Sequence, residues 1–176
     1  REFFPALAGL GYVALAERQP TLALERFREV LVDKPSYVPA WVGQAESLLL
    51  SSMEFEALRA YEKALALNPA LDTVKRRVEV LRFRRLQNLI TAAQKADIDG
   101  RHVAAAQAYS EALEISPESA YLYRGLALTE REIGNVGSAL ENIARANSLE
   151  PSNPNGFIFQ AEILESMGDL EGAEQA

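Results

Sequence analysis

The chain has 176 residues, 48% of them apolar, and a formal charge of −7, with one histidine and no cysteine. That composition is ample for folding, excludes a disulfide framework and a thiolate metal site, and argues against a protein that coats nucleic acid. No apolar run reaches the roughly 18 to 20 residues needed to cross a membrane, and the start is not signal-like. The chain opens on Arg1 and stops at Ala176 partway through a repeated pattern, as expected of a piece of a longer protein.

Phe3 and Phe4 come first, expected to pack on the end of the array, to belong with a preceding helix, or to form a sticky end. Helices are then predicted near residues 5–17 and 21–34. Leu7, Leu10, Gly11 and Ala14 share one face of the first, at spacings of three, one and three. Trp41, Gln44, Ala45 and Leu48 repeat that pattern in the next unit. The phrase Ala57 to Pro69 follows, in which Ala57, Tyr61, Ala64 and Leu65 lie on one helical face and Pro69 stops the helix.

From Asp72, an N-cap candidate, to Asp99 there is neither Pro nor Gly, which predicts one unbroken helix of up to 28 residues, about 42 Å long. Val74, Val78, Leu81, Leu86 and Leu89 mark its apolar stripe. Residues 72–85 carry Lys75, Arg76, Arg77, Arg82, Arg84 and Arg85 against Asp72 and Glu79, a net +4 that leaves −11 elsewhere. Such a cluster is either a solvated face whose arginines neutralise acidic neighbours or a docking site offering Arg76, Arg77, Arg84 and Arg85 to an acidic partner. Nucleic acid and anionic membrane are disfavoured, because no aromatics interleave with the charges for base stacking.

The unit patterns resume with Leu89, Ala92, Ala93 and Ala96, then Tyr123, Leu126, Ala127 and Glu130, then Phe157, Gln160, Ala161 and Leu164. The phrase recurs closely at Ala105 to Pro117 and more loosely at Ala23 to Pro35 and Ala139 to Pro151. Its closing prolines are 34 residues apart between Pro35 and Pro69 and between Pro117 and Pro151, but 48 apart between Pro69 and Pro117, which is 34 plus an insertion of 14. A 34-residue period is a repeat architecture. The expected domains are residues 1–71, units one and two; 72–85, a basic helical insertion; and 86–176, units three, four and a truncated five.

These residues resemble the tetratricopeptide repeat family, with Trp41, Ala45, Leu48, Ala57, Tyr61, Ala64 and Pro69 the best match and Gly100, Gly134 and Gly168 at the inter-helix turns. Gln44 and Glu130 depart from it at usually apolar slots, Val30 replaces an Ala, and Pro20 or Met53 stands where a Gly-Asp turn is usual. The resemblance implies an all-α right-handed solenoid of helical hairpins whose first helices line a concave groove. Carried over by position, the implied groove residues are Tyr12, Leu15, Val42, Glu46, Leu49, Ile90, Gln94, Asp97, Tyr121, Arg124, Leu128 and Arg131. The slots by which chaperone-binding members clamp a terminal carboxylate hold Tyr12, Glu46, Gln94 and Leu128, so that activity is not implied.

No enzyme site is visible. His102 has no second His or Cys for a metal or a triad and falls in an inter-helix turn; Gly9 and Gly11 lie inside a helix, at positions expected to need small side chains; Glu130 with Glu132, and Asp97 with Asp99, point to different sides of a helix. The expected function is a non-catalytic scaffold that binds a peptide or protein segment, without cofactor or metal, the alternative being a docking or regulatory arm of a larger enzyme or bacterial envelope assembly. Self-association through the truncated fifth unit is expected, since terminal repeats normally need a polar cap.

Overall fold

The computed structural model describes residues 3–166 together with Gly172 and Ala173. Among the described residues it is all-helical: α1 Phe4–Ala16, α2 Pro20–Asp33, α3 Val38–Leu50, α4 Glu54–Leu67, α5 Asp72–Ile98, α6 His102–Ile115, α7 Ala120–Ile133, α8 Val136–Leu149 and α9 Pro154–Ser166. The helices fall into two compact units, Arg1–Arg84 and Arg85–Ala176. Gly168 and most of the fifth unit's second helix lie outside the described residues, and so does the truncated end through which self-association is expected.

Short side chains at helix starts and a left-handed residue at helix ends set the hairpins. Proline occupies the first turn of α1, α2 and α3, where its missing N–H forfeits no bond, and the Ser119 hydroxyl accepts from Leu122 N at the start of α7. Among the described residues, the turn inside each hairpin, α1–α2, α3–α4, α5–α6 and α7–α8, passes through one left-handed residue in the same register: Arg18, Ser52, Gly100 and Gly134. Glycine takes that conformation freely in the second unit, whereas Arg18 and Ser52 hold it in the first against a steric cost of about 1–2 kcal/mol.

Packing between hairpins is set by an aromatic ring seated on a glycine. Phe27 of α2, fully buried, lies against Gly11 of α1 and Gly43 of α3, and a Cβ at Gly43 would run into its ring. Tyr109 of α6 lies likewise against Gly125 of α7. Where α8 carries Ile143 in place of an aromatic, the ring is supplied from the facing helix as Phe159 of α9, and both are in one core cluster. Gly9 breaks the expectation of a tight site, because a Cβ there meets open space.

The long helix α5 is continuous over 27 residues, as its freedom from Pro and Gly predicts. Its first half stands 34 residues after α3, residue for residue, and behaves as a unit's first helix. Val74, Val78 and Leu81 are buried with Leu48, Leu58 and Tyr61 in one cluster of the first unit. Glu79 and Arg82, in register with buried Ala45 and Leu48, are exposed; those are the sites that would face a second helix in the same hairpin, and here none follows. The inserted residues are thus a first helix without its partner, joined end to end to the helix that opens the second unit. There Leu86, Leu89 and Ile90 pack on the Ala93, Tyr109 and Leu126 cluster.

Candidate functional site

In the first unit the groove residues come together along α1, α3 and the first half of α5. Tyr12, half-buried, sets its ring edge-on to Phe27 at 5.0 Å between centroids and donates its hydroxyl to the Pro39 carbonyl at 2.7 Å. Burial, with the Glu46 carboxylate adding to it, pushes the Tyr12 phenol up to about 12. Val42 packs at the edge of the core cluster and lines neither cavity described here. Leu15, Ala16, Glu46, Leu49, Leu50 and Arg77 line a cavity of about 450 Å³. A second, of about 350 Å³, is lined by Leu49, Thr73, Arg76, Arg77, Val80, Leu81 and Arg84. Leu49 and Arg77 belong to both, so the two form one furrow with an apolar floor. Leu50 and Val80 are 54% and 52% exposed.

The basic residues divide. Arg77 stands in register with Gly43, opposite Tyr61, and its guanidinium donates to the Tyr61 hydroxyl at 2.6 Å and to Glu46 at 2.8 Å. The hydrogen bond to Tyr61 is the main cause that raises the Arg77 pKa further, with Glu46 acting in the same direction. Burial raises the Tyr61 phenol, and the Arg77 hydrogen bond opposes it. Arg82 pairs with Glu62 at 2.6 Å, Arg84 with Glu54 at 2.9 Å, Arg85 with Glu111 at 2.9 Å and Lys75 with Asp72 at 3.5 Å. Arg76, exposed on the furrow's rim, has no ion-pair or side-chain hydrogen-bond partner among the described residues. Most of this charge neutralises acidic neighbours 20 to 31 residues away in sequence, partners that no local pattern could point to.

In the second unit the polar groove positions are held in contacts within the unit. Gln94 donates to the Tyr121 hydroxyl at 2.7 Å, and Arg124 donates to Glu150 at 2.6 Å, which holds the Glu150 carboxyl below the usual carboxylate range. Arg131 lies 4.7 Å over the Phe159 ring and pairs with Glu132 and Glu162. Asp97 accepts from the Thr129 hydroxyl at 3.0 Å and lies 3.3 Å from the His102 ring, so the sole histidine is a contact of this network. Ile90 is partly buried in the core and Leu128 is exposed. Among the described residues no three His, Cys, Asp or Glu side chains are grouped to hold a metal ion, and no helix is long and apolar enough to cross a membrane.

No known family profile matches the chain. Its structure is similar to the TPR domain of P58(IPK), with a TM-score of 0.52 and 18% identity, covering 97% of this chain and 57% of that one. The fold is that of the tetratricopeptide repeat. MamA from Desulfovibrio magneticus RS-1 is similar at a TM-score of 0.45 and 14% identity, over 99% of this chain and 91% of that one. In sequence, the uncharacterized protein ycf37 of Cyanophora paradoxa is 28% identical over 72 residues, a match spanning 41% of this chain and 42% of that relative. Within the tetratricopeptide frame, the half-unit formed by the start of α5 is the departure that shapes the site, because it supplies Thr73, Arg76, Val80 and Arg84 to the furrow.

Proposed function

We propose that this chain is a non-catalytic protein-interaction scaffold whose first unit holds an extended, mainly apolar protein segment along α1, α3 and the start of α5. The observation that carries this reading is the furrow itself: two adjoining cavities floored by Leu15, Leu49, Leu50 and Val80, with Arg76, exposed, at the rim. Exposed apolar side chains gathered in a concavity gain about 25 cal/mol for each Å² covered by a partner. Arg76 favours a carboxylate in that partner, an interaction that salt screens because the guanidinium is exposed. The polar groove residues of the second unit, engaged with neighbours inside that unit, favour a role in holding it together.

A displayed library of random peptides selected on the chain tests the reading. Selected peptides should be apolar with an acidic residue, and should lose binding to a Leu50→Asp, Val80→Asp variant of unchanged helicity. Equal binding to that variant would remove the furrow as the site. Binding unaffected by Arg76→Glu and by added salt would remove the role of Arg76.

A further inference from the structure

A third cavity of the first unit, about 560 Å³, opens between α2 and α4 over α3 and shares no lining residue with the furrow. On α3, Trp41 and Gln44 line this cavity while Leu49 lines the furrow, so one helix serves two separate sides. Trp41 is held by its indole N–H, which donates to the Pro35 carbonyl at 2.7 Å, and the buried Ala60 of α4 adds a short apolar side chain.

Gln44 is the anomaly in this lining. The same helix position holds Leu10, Val78, Ala92 and Leu126 elsewhere in the array, and an amide only once more, at Gln160. The two amides are served differently. Gln44 and Gln160 each follow a closing proline, Pro35 or Pro151, and in the helix before that proline the matching residues are Leu31 and Asn147. The buried Asn147 amide donates to Gln160 Oε1 at 2.8 Å, whereas the Leu31 side chain can neither donate nor accept, and Gln44 has no hydrogen-bond partner among the described residues. No buried side-chain nitrogen or oxygen among the described residues is unsatisfied, so the Gln44 amide is open to the cavity.

The rim is basic. Arg28 of α2 and Lys63 of α4, both exposed, have no ion-pair or side-chain hydrogen-bond partner among the described residues, and Arg59 lies 5.6 Å from the centre of the Phe55 ring. Glu62 is already paired with Arg82 at 2.6 Å, which leaves these cations against the Glu56 carboxylate, in a chain whose formal charge is −7.

We propose that this cavity is a second docking site, for an extended acidic segment of a partner protein. A small anion would meet the cations but only the donor half of the Gln44 amide, whereas a backbone peptide group offers the complementary N–H and C=O together. The α4 side of the cavity, Glu56 to Ala66, is about 15 Å long at 1.5 Å per residue, room for about five extended residues at 3.3 Å each. Alternate side chains of such a segment point to opposite faces, so acidic residues at every second position meet the basic rim while the apolar residues between them turn towards Trp41.

The probe is the capped peptide acetyl-Glu-Leu-Glu-Leu-Glu-amide, titrated into the whole chain by calorimetry while Trp41, the single tryptophan, reports locally through its emission. One-to-one binding with a saturable change in that emission is expected. Gln44→Leu, which installs the residue that α1 and α7 carry at this position, should weaken binding about tenfold, the scale of hydrogen bonds to one amide. Arg28→Glu with Lys63→Glu, two exposed positions that leave the packing alone, should weaken it about tenfold or more and flatten its dependence on salt. The furrow variant Leu50→Asp, Val80→Asp should bind the peptide unchanged, so the two sites fail separately. Undiminished affinity in Gln44→Leu or in the Arg28, Lys63 variant overturns the proposal, as does binding that leaves Trp41 emission unmoved or that is lost in the furrow variant. Equal affinity for acetyl-Gln-Leu-Gln-Leu-Gln-amide also overturns it, and so does a peptide that fails to bind. Glutarate that reproduces the Trp41 change at the same concentration would make the cavity a small-anion site, again against a peptide.

Discussion

Removing the Arg77 side chain should destabilise the first unit by far more than an exposed charge warrants. Tyr61 is fully buried, 0% exposed, and the Arg77 guanidinium is the donor to its hydroxyl at 2.6 Å. Arg77→Ala leaves that hydroxyl without its partner, which costs about 1–3 kcal/mol. The pair with Glu46 is partly exposed on both sides, 45% and 32%, and contributes about 0.2–1 kcal/mol. Together the loss should be about 2–3 kcal/mol, whereas Tyr61→Phe, which deletes the hydroxyl itself, should cost about 1 kcal/mol. In the Tyr61→Phe background, Arg77→Ala should therefore cost about 1 kcal/mol less than in the native chain, a coupling measurable by double-mutant cycle. Urea denaturation followed by the fluorescence of Trp41, the single tryptophan and a first-unit residue, reads the relevant transition. Identical costs of Arg77→Ala in both backgrounds would refute the argument that Arg77 acts through the buried phenol.

Gly43→Ala should lower stability by about 1–2 kcal/mol in the same assay, because overpacking against Phe27 outweighs the gain in helix propensity; Gly9→Ala, with open space beyond it, should raise stability by up to about 1 kcal/mol. Ser52→Gly should raise the urea midpoint, the relief of a left-handed non-glycine residue exceeding the added freedom of the unfolded chain by about 0.5 kcal/mol. Alkaline titration should show a Tyr12 contribution: its folded pKa is raised from 10.0 to about 12, so the stability due to its neutral form is complete below pH 10 and lost as the pH rises from there towards 12. Tyr12→Phe should remove that part of the alkaline loss, as seen in denaturation midpoints across the pH range.

Repeat period, helix count through α9 and the unbroken α5 were legible because each rests on local pattern: helical spacing, closing prolines, and the lack of a turn residue from Asp72 to Asp99. The assignment of residues 72–84 to a first-helix register was also present in the sequence, in the 34-residue step from Val38 to Asp72, but treating the extra 14 residues as an insertion hid it. What was not legible is long-range pairing. Arg77 meets Glu46 and Tyr61, and Arg85 meets Glu111, only because helices fold side by side; charge counting favoured a self-neutralised face over a docking face but could name no partner for any arginine. The same holds for Gln94 with Tyr121 and for Asp97 with Thr129, groove positions by register whose polar groups the fold uses internally.

The uninterrupted α5 bears on how the chain acquires order in time. Starting a helix from coil is unfavourable by a factor of about 10⁻³, or about 4 kcal/mol, while each added residue of a growing helix is nearly neutral or better. Once Val74, Val78 and Leu81 are fixed on the first unit, the residues from Arg85 to Ile98 extend an existing helix and skip that initiation step. Ribosomal synthesis delivers the first unit earlier, so the nascent second unit meets a helical end already formed. Two glycines inserted between Arg84 and Arg85 would restore the initiation step and slow refolding of the second unit while sparing the first.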